Sequence, residues 1–145
     1  MAKIVKLDSA VSVSPQLDKA DFAELAAQGF RSVVNNRPDG EAPDQLPSQE
    51  AEALARQHGL EYRYQPVRNV NVTDDDVVAD FAKLMEELPA PILFYCRSGT
   101  RCTTLWTQVQ ASRLGVDPTL RIARNAGYNL DGLRETLEER VGAKP

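Results

Sequence analysis

Two residue types that commonly bind metals or form disulfides are scarce in this sequence. Cysteine occurs twice, as Cys96 and Cys102, and histidine once, as His58, among 145 residues. Two cysteines six positions apart do not resemble the disulfide framework of a secreted domain, so we expect a reducing, cytoplasmic environment. One histidine and two cysteines also provide no plausible zinc ligand set. We therefore predict a protein that uses no metal and no cofactor.

Long apolar runs and an excess of positive charge are missing as well. No segment approaches the roughly 18 apolar residues that span a bilayer, and the opening MAKIVKLDSA has no apolar core typical of a signal peptide. The 17 Lys and Arg residues against 21 Asp and Glu residues give a formal net charge of -4. Such a charge does not attract nucleic acid or an anionic membrane, so we expect neither as a partner. Any anion-binding site must then be local.

What is present is the composition of an average folded protein. Hydrophobic residues make up 42% and charged residues 26% of the chain, and its length suits a single domain over residues 1–145. Strand-like and helix-like windows alternate between Gly and Pro residues. Strands are predicted at 4–7, 11–13, 30–35, 61–67 and 91–95, and helices at 17–28, 48–58, 74–88, 102–114, 118–126 and 130–141. Ser48 and Thr73 are the predicted N-caps of two of these helices.

This alternation is typical of an α/β fold. We predict a three-layer α/β/α architecture around a central, mainly parallel sheet of four to five strands, with 91–95 as the central strand because it is the most apolar. Loops that leave the carboxyl ends of parallel strands share one edge of the sheet, where ligands usually bind. The polar loops 35–41, 68–76 and 96–101 are therefore expected to meet there.

Of these loops, CRSGTR, from Cys96 to Arg101, is the one best suited to anion binding and nucleophilic catalysis. Because it joins a strand to a helix N-terminus, its backbone N–H groups and the helix dipole favour an anion, and Gly99 permits a conformation that a side chain would obstruct. The same field favours a thiolate, so we predict Cys96 as a nucleophile and Arg101 as its anion-binding partner. The alternative is a buried, inert cysteine beside solvated arginines. The predicted substrate-binding residues are Arg37, Arg97, Ser98, Gly99, Thr100 and Cys102.

Four stretches of the chain, VNNRPDGE (34–41), YRYQPV (62–67), YCRSGTR (95–101) and AGY (126–128), point to one family. With them the chain resembles the phosphatase-like domain of beta-lactamase hydrolase-like proteins. This small bacterial family is related to the dual-specificity protein tyrosine phosphatases and is also described as a sulfurtransferase family. The resemblance covers nearly the whole chain. It implies a phosphatase-like α/β/α fold, with Cys96 as nucleophile and Arg101 as the anion-binding arginine.

Departures from the phosphatase pattern leave the reaction open. The phosphatase signature has His before the cysteine and five residues between Cys and Arg, whereas here Tyr95 precedes Cys96 and four residues separate it from Arg101. Four is the spacing of rhodanese sulfurtransferases, whose loop holds a cysteine persulfide. Phosphatases also tend to carry an acidic proton donor about thirty residues before the cysteine, and residues 64–66 supply none there.

Other residues could supply that acid. Asp39 and Glu41 are the first candidates, because their loop lies at the same sheet edge as Cys96, and we assign the catalytic role to Asp39. The alternative for both is a solvated Pro-Asp-Gly turn. Three consecutive aspartates, 74–76, are less favoured candidates for the acid, because helix capping and the helix dipole explain them. Cys102 is either a resolving thiol for Cys96 or a small residue packed in the first turn of a helix.

We predict from these features a cysteine-dependent phosphatase that hydrolyses phosphate monoesters through a phosphocysteine on Cys96. Two alternatives remain open. The first is a rhodanese-like sulfurtransferase that takes a sulfane-sulfur substrate and carries a Cys96 persulfide. The second is a non-catalytic anion-binding domain, against which the presence of both Cys96 and Arg101 argues.

Overall fold

A five-stranded sheet forms the centre of the computed structural model, which describes residues 2–142. The strands are β1 (Val5–Lys6), β2 (Val11–Ser14), β3 (Ser32–Asn35), β4 (Glu61–Tyr64) and β5 (Ile92–Tyr95). Their order is β1-β2-β5-β3-β4, and only β1 runs antiparallel to its neighbour. The apolar strand β5 is central and buried along its whole length, as predicted.

The described residues also form six helices. They are α1 (Asp21–Ala27), α2 (Ser48–Gln57), α3 (Asp75–Glu87), α4 (Thr100–Leu114), α5 (Val116–Asn125) and α6 (Arg134–Gly142), with short 3-10 turns at Asn69–Asn71 and Asp131–Leu133. Helices α1 to α4 cover the two faces of the sheet. None of the six helices combines the length and apolarity needed to span a membrane.

Alternation along the strands divides the core between two faces of the sheet. On β5, Leu93 and Tyr95 pack with residues of α1 and α2, whereas Ile92 and Phe94 pack with residues of α3 and α4. This is the two-residue period expected of a sheet that is covered on both sides. A third apolar cluster joins α4 to α5 and α6. The predicted three-layer α/β/α fold is therefore confirmed.

Helix starts differ from the predictions where side chains bind nearby backbone. Helix α1 begins at Asp21 rather than at residue 17, because the Asp18 and Asp21 carboxylates accept hydrogen bonds from N–H groups within the turn 18–21. Helix α3 begins at Asp75, so Thr73 is not its cap.

Ser48 is likewise not a cap but the first residue of α2. Its hydroxyl forms a hydrogen bond of 2.8 Å with the hydroxyl of Tyr62, and its N–H donates to Asp39 Oδ1, also at 2.8 Å. Asp39 thus performs the capping role predicted for Ser48, from a loop nine residues earlier in the chain.

Candidate active site

The loop from Cys96 to Arg101 joins the central strand β5 to the N-terminus of α4. Its start is fixed by backbone hydrogen bonds to the end of β2: Cys96 N–H donates to Ser14 O at 3.4 Å, and Gln16 N–H donates to Arg97 O at 3.2 Å. Gly99 immediately precedes α4 with a φ of +91°, a left-handed conformation that favours glycine. The loop therefore presents backbone N–H groups at a helix N-terminus, as predicted.

The Cys96 side chain lies at the base of this loop, with 1% of the residue exposed. Its Sγ accepts a hydrogen bond of 3.1 Å from the Gly99 N–H. A hydrogen bond from the Cys102 thiol, together with backbone N–H groups of Cys102, Gly99 and Arg101, lowers the pKa of Cys96 to about 5 against the opposing effect of burial. Cys96 is accordingly a thiolate at neutral pH.

Cys102 is the second buried cysteine, and both thiols are free. Burial raises the pKa of Cys102 well above its ordinary value, and the neighbouring Cys96 raises it further. The Cys102 thiol is thus protonated at neutral pH and makes the largest contribution to the lowered pKa of Cys96. Cys102 is fully buried in the first turn of α4, which agrees with the packed-residue interpretation, and a resolving role for its thiol stays a prediction.

We expect the two thiols to differ strongly in reactivity. The rate of Cys96 alkylation by iodoacetamide should rise about tenfold per pH unit below pH 5 and level off above it, because only the thiolate reacts. Cys102, buried and protonated, should remain unmodified. Peptide mass spectrometry after timed labelling at several pH values checks both statements. A Cys96 midpoint near the value of about 8.5 for a free thiol would contradict them.

Arg101 extends from the first turn of α4 to a carboxylate on the loop after β3. Its Nη1 and Nη2 donate to Glu41 Oε2 and Oε1 at 2.8 and 2.7 Å, and Nη1 also donates to Val67 O at 2.9 Å. Arg37 binds the same carboxylate through Nε at 3.0 Å and contacts Gln16 Oε1 through Nη1, also at 3.0 Å. The loops 35–41 and 96–101 therefore meet at one edge, as predicted, whereas a contact of loop 68–76 with them stays a prediction.

Glu41 carries a single charge between two buried arginines. The Arg101 and Arg37 side chains are 6% and 5% exposed, whereas that of Glu41 is 29% exposed. Hydrogen bonds, first from Arg101 and then from Arg37, lower the pKa of Glu41 despite its partial burial. A carboxylate held in its ionised form is a poor proton donor, so these contacts give Glu41 the role of orienting Arg101.

The geometry leaves one edge of Arg101 available. A guanidinium has five N–H donors, and Glu41 and Val67 use both donors of Nη1 and one of Nη2. The Nε donor and the second Nη2 donor form a fork. Within residues 2–142, neither of these two donors makes a hydrogen bond. Such a fork matches two oxygens of a tetrahedral anion. The pKa of Arg101 is raised mainly by its hydrogen bond to Glu41, and the nearby charge of Cys96 raises it as well.

The remaining loop side chains face solvent. Arg97, Ser98 and Thr100 are exposed, and the hydroxyls of Ser98 and Thr100 contact each other at 2.9 Å. Gly99 contributes its backbone only. Substrate binding by these four residues stays a prediction.

The carboxylates considered as proton donors have other contacts. Asp39 Oδ1 accepts the N–H at the start of α2, and the Asp39 N–H donates to the Tyr64 hydroxyl at 2.8 Å. Asp75 pairs with Arg140 of α6 at 3.0 Å. Asp74 accepts a hydrogen bond from Asn71. Catalysis by Asp39 stays a prediction, and its contacts show a structural task. Across residues 2–142, no cluster of His, Cys, Asp and Glu is placed to hold a metal.

In the sequence, Tyr128 is singled out only as part of the AGY stretch, but in the structure this residue contacts the loop directly. The Tyr128 hydroxyl donates to Ser98 O at 3.0 Å, from the segment that follows α5. Its position in the AGY stretch, after a helix and next to a glycine, was the available signal. Nothing in the spacing of Tyr128 and Cys96 along the chain indicated that they would be close.

Comparison with known proteins places this site in a family. The family model described as beta-lactamase hydrolase-like protein, phosphatase-like domain, matches residues 4–113. The chain belongs to this family. The beta-lactamase hydrolase-like protein of Agrobacterium fabrum is 32% identical over 145 residues, which cover 99% of this chain and 33% of that protein. A Xylella fastidiosa relative of the same name is 32% identical over 130 residues, or 88% of this chain and 30% of its own. The chain thus spans about a third of the length of these curated relatives.

Solved structures support the same family. A Neisseria meningitidis protein described as a candidate phosphatase is 36% identical, with a TM-score of 0.86 over 94% of this chain and 97% of its own. The core catalytic domain of a PP-IP phosphatase from S. cerevisiae has a TM-score of 0.67 at 17% identity, covering 94% of this chain and 82% of its own. At that identity the second likeness shows the fold alone. The chain therefore has a phosphatase-like fold.

Proposed function

We propose that this domain hydrolyses phosphate monoesters through a covalent phosphocysteine on Cys96. The observation that carries the proposal is a buried thiolate at a helix N-terminus, with an unoccupied edge of Arg101 beside it. Membership of the phosphatase-like family and the likeness to the Neisseria meningitidis protein support the same reaction.

In the first step the Cys96 thiolate attacks phosphorus. The S–P bond forms while the bond from phosphorus to the ester oxygen breaks, and the leaving oxygen takes up a proton or departs as a phenolate. Water then attacks phosphorus, the S–P bond breaks, and inorganic phosphate and the Cys96 thiolate are released. Splitting the hydrolysis into two displacements is the usual advantage of a covalent intermediate.

The loop and Arg101 suit the charge that develops in both steps. Backbone N–H groups of the loop and the dipole of α4 face the position of the phosphoryl oxygens. Arg101 adds a forked cation, held in place by Glu41 before the substrate arrives. A group that is already oriented need not be reorganised during the reaction, which is the main source of electrostatic catalysis.

Sulfur transfer is the second candidate, because the loop has the rhodanese spacing of four residues between Cys96 and Arg101. The Cys96 thiolate would take a sulfane sulfur from a donor anion, which leaves as the reduced donor, and would pass that sulfur to an acceptor thiol. This reaction needs no carboxylic acid to protonate an alkoxide.

Intact-mass spectrometry distinguishes the two reactions. The reduced protein and its Cys96→Ser variant are exposed briefly to an aryl phosphate and quenched in acid, and separately to thiosulfate. We expect a phosphoryl adduct on the wild type alone, with release of the phenol. A sulfur atom gained by the wild type without phosphoryl adduct or phenol would contradict the proposal and favour sulfur transfer. Neither adduct, with no turnover, would favour the anion-binding alternative.

Asp39 is testable as the proton donor because its capping role can be preserved. The amide oxygen of Asp39→Asn can still accept the Ser48 N–H, whereas Asp39→Ala removes the acceptor. If Asp39 is the proton donor, Asp39→Asn should lower kcat on alkyl phosphates by about a hundredfold or more. The effect on aryl phosphates should be smaller, because their leaving group needs less protonation. The thermal midpoint should stay near that of the wild type. If Asp39→Asn is fully active and only Asp39→Ala has a lowered thermal midpoint, Asp39 caps α2 and is not the proton donor.

A further inference from the structure

The end of α5 places Tyr128 on the candidate catalytic loop. Gly127 has a φ of +101°, its N–H donates to Arg124 O at 3.0 Å, and the Tyr128 N–H donates to Ala123 O at 2.9 Å. These two hydrogen bonds and a left-handed glycine form a Schellman motif, which fixes the direction of the chain as it leaves a helix. The backbone at Tyr128 is thus held by a rigid helix end rather than by a free loop.

The Tyr128 side chain packs directly against Gly99. A Cβ atom on Gly99 would overlap the Tyr128 hydroxyl. The same hydroxyl donates to Ser98 O at 3.0 Å. Tyr128 therefore contacts both residues that share the Ser98–Gly99 peptide bond.

The two ends of this peptide bond point in opposite directions. In a trans peptide the C=O and the following N–H lie on opposite sides of the chain. With Ser98 O bound to Tyr128, the Gly99 N–H points towards Cys96 and donates to its Sγ at 3.1 Å. A rotation of the peptide by half a turn would break both hydrogen bonds together.

Side-chain sterics at Gly99 do little to prevent that rotation. Glycine adopts positive and negative φ with similar ease, so its own conformational preference does not select one orientation of the preceding peptide. Ser98 is exposed, and its hydroxyl is paired with Thr100 rather than with the rest of the protein. The hydrogen bond from Tyr128 to Ser98 O therefore favours the orientation in which the Gly99 N–H points at Cys96.

We propose that Tyr128 is a positioning residue, whose hydroxyl holds the Ser98–Gly99 peptide with its N–H directed at the reacting sulfur of Cys96. The proposal rests on the proposed function for the statement that Cys96 reacts. Tyr128 lies outside residues 4–113, which the family model matches. Because Tyr128 contacts Ser98, α5 and the turn after it contribute to the site as well as to the core.

Other groups around Cys96 remain in place when only the Tyr128 hydroxyl is removed. From α4, the Cys102 thiol and the Arg101 guanidinium lie near the sulfur. Arg101 is in turn hydrogen-bonded to Glu41. From the segment after α5, the Tyr128 ring faces the sulfur as a neutral group, because burial and the charge of Cys96 raise the pKa of its hydroxyl. Phenylalanine keeps that ring and deletes one donor.

The test is the pH dependence of Cys96 alkylation in Tyr128→Phe. We expect the midpoint to rise by about one pH unit, so that alkylation below both midpoints is about tenfold slower than in the wild type. Tyr62→Phe is the matched control, since it removes buried hydrogen bonds to Ser48 and Asn35 on the opposite face of the sheet. It should lower the thermal midpoint without moving the alkylation midpoint.

An unchanged alkylation midpoint in folded Tyr128→Phe would overturn the proposal. A midpoint that moves equally in Tyr128→Phe and Tyr62→Phe would also overturn it, because the shift would then follow general destabilisation. The labelling reaction involves no phosphate ester. A wild type with a low midpoint and no hydrolysis would therefore contradict the proposed function and leave the inference about Tyr128 standing.

Discussion

Replacing Cys96 with serine is expected to stop phosphate-ester hydrolysis while preserving oxyanion binding. A serine hydroxyl at the same position stays protonated at neutral pH, whereas the pKa of Cys96 is about 5 and its thiolate is present throughout. Loss of the ionised nucleophile should lower kcat by more than about 10³-fold. Release of the phenol from an aryl phosphate, followed continuously at pH 7, measures the effect.

Binding should survive because the groups that hold an oxyanion lie elsewhere. The loop N–H groups, the dipole of α4 and the Arg101 fork are unchanged by the substitution. The thiolate itself repels a phosphate anion at short range, so its removal should leave the Kd for inorganic phosphate equal to or lower than that of the wild type. Calorimetric titration with phosphate is the measurement and also shows that the loop is folded. Undiminished turnover in Cys96→Ser would contradict every catalytic role considered for this loop.

Local patterns were sufficient to predict the layers of the fold. The run Ile92–Tyr95 is apolar on both faces and forms the central strand. Gly29, Gly59 and Gly115 lie between the predicted elements and have positive φ. Helix starts were less predictable, since the start of α1 depends on Asp18 and Asp21 carboxylates that bind backbone N–H groups within the same turn. Which of several adjacent polar residues accepts those N–H groups is decided by local geometry that propensity alone does not describe.

The candidate site was predictable where its parts adjoin in sequence. Cys96 and Arg101 belong to one short loop between a strand and a helix, and the resemblance of that loop to a known family is confirmed by the match to residues 4–113. Partners brought in from elsewhere were not predicted. Glu41 was a candidate proton donor beside Asp39, but its carboxylate binds Arg101 across 60 positions of sequence. Tyr128 was singled out only as part of the AGY stretch, and nothing in its own neighbourhood indicates contact with Ser98.

Arg101→Lys should cause the second-largest loss of activity. Lysine keeps the positive charge but has no fork, so it cannot bind Glu41 through two nitrogens and also present two donors to a phosphoryl group. We expect kcat/KM to fall by about 10² to 10³-fold, the usual consequence of losing an oriented donor to transition-state charge. Steady-state kinetics on an aryl phosphate give this ratio. A lysine variant with nearly full kcat/KM would show that charge alone is required at this position.

Glu41→Gln tests whether activity depends on the orientation of the Arg101 side chain, because the substitution leaves Arg101 itself in place. The amide cannot accept two hydrogen bonds from Arg101 while also accepting one from Arg37 in the observed arrangement, because one of its heavy atoms is a donor. Arg101 keeps its charge and its fork but loses its anchor, so kcat should fall between about tenfold and a hundredfold, with a smaller change in KM. Glu52→Gln, which breaks an exposed pair with Arg56, is the matched control and should leave both constants unchanged. If Glu41→Gln instead raised activity, the carboxylate would compete with substrate for Arg101, and the bidentate pair would be an inhibited state rather than a preorganised one.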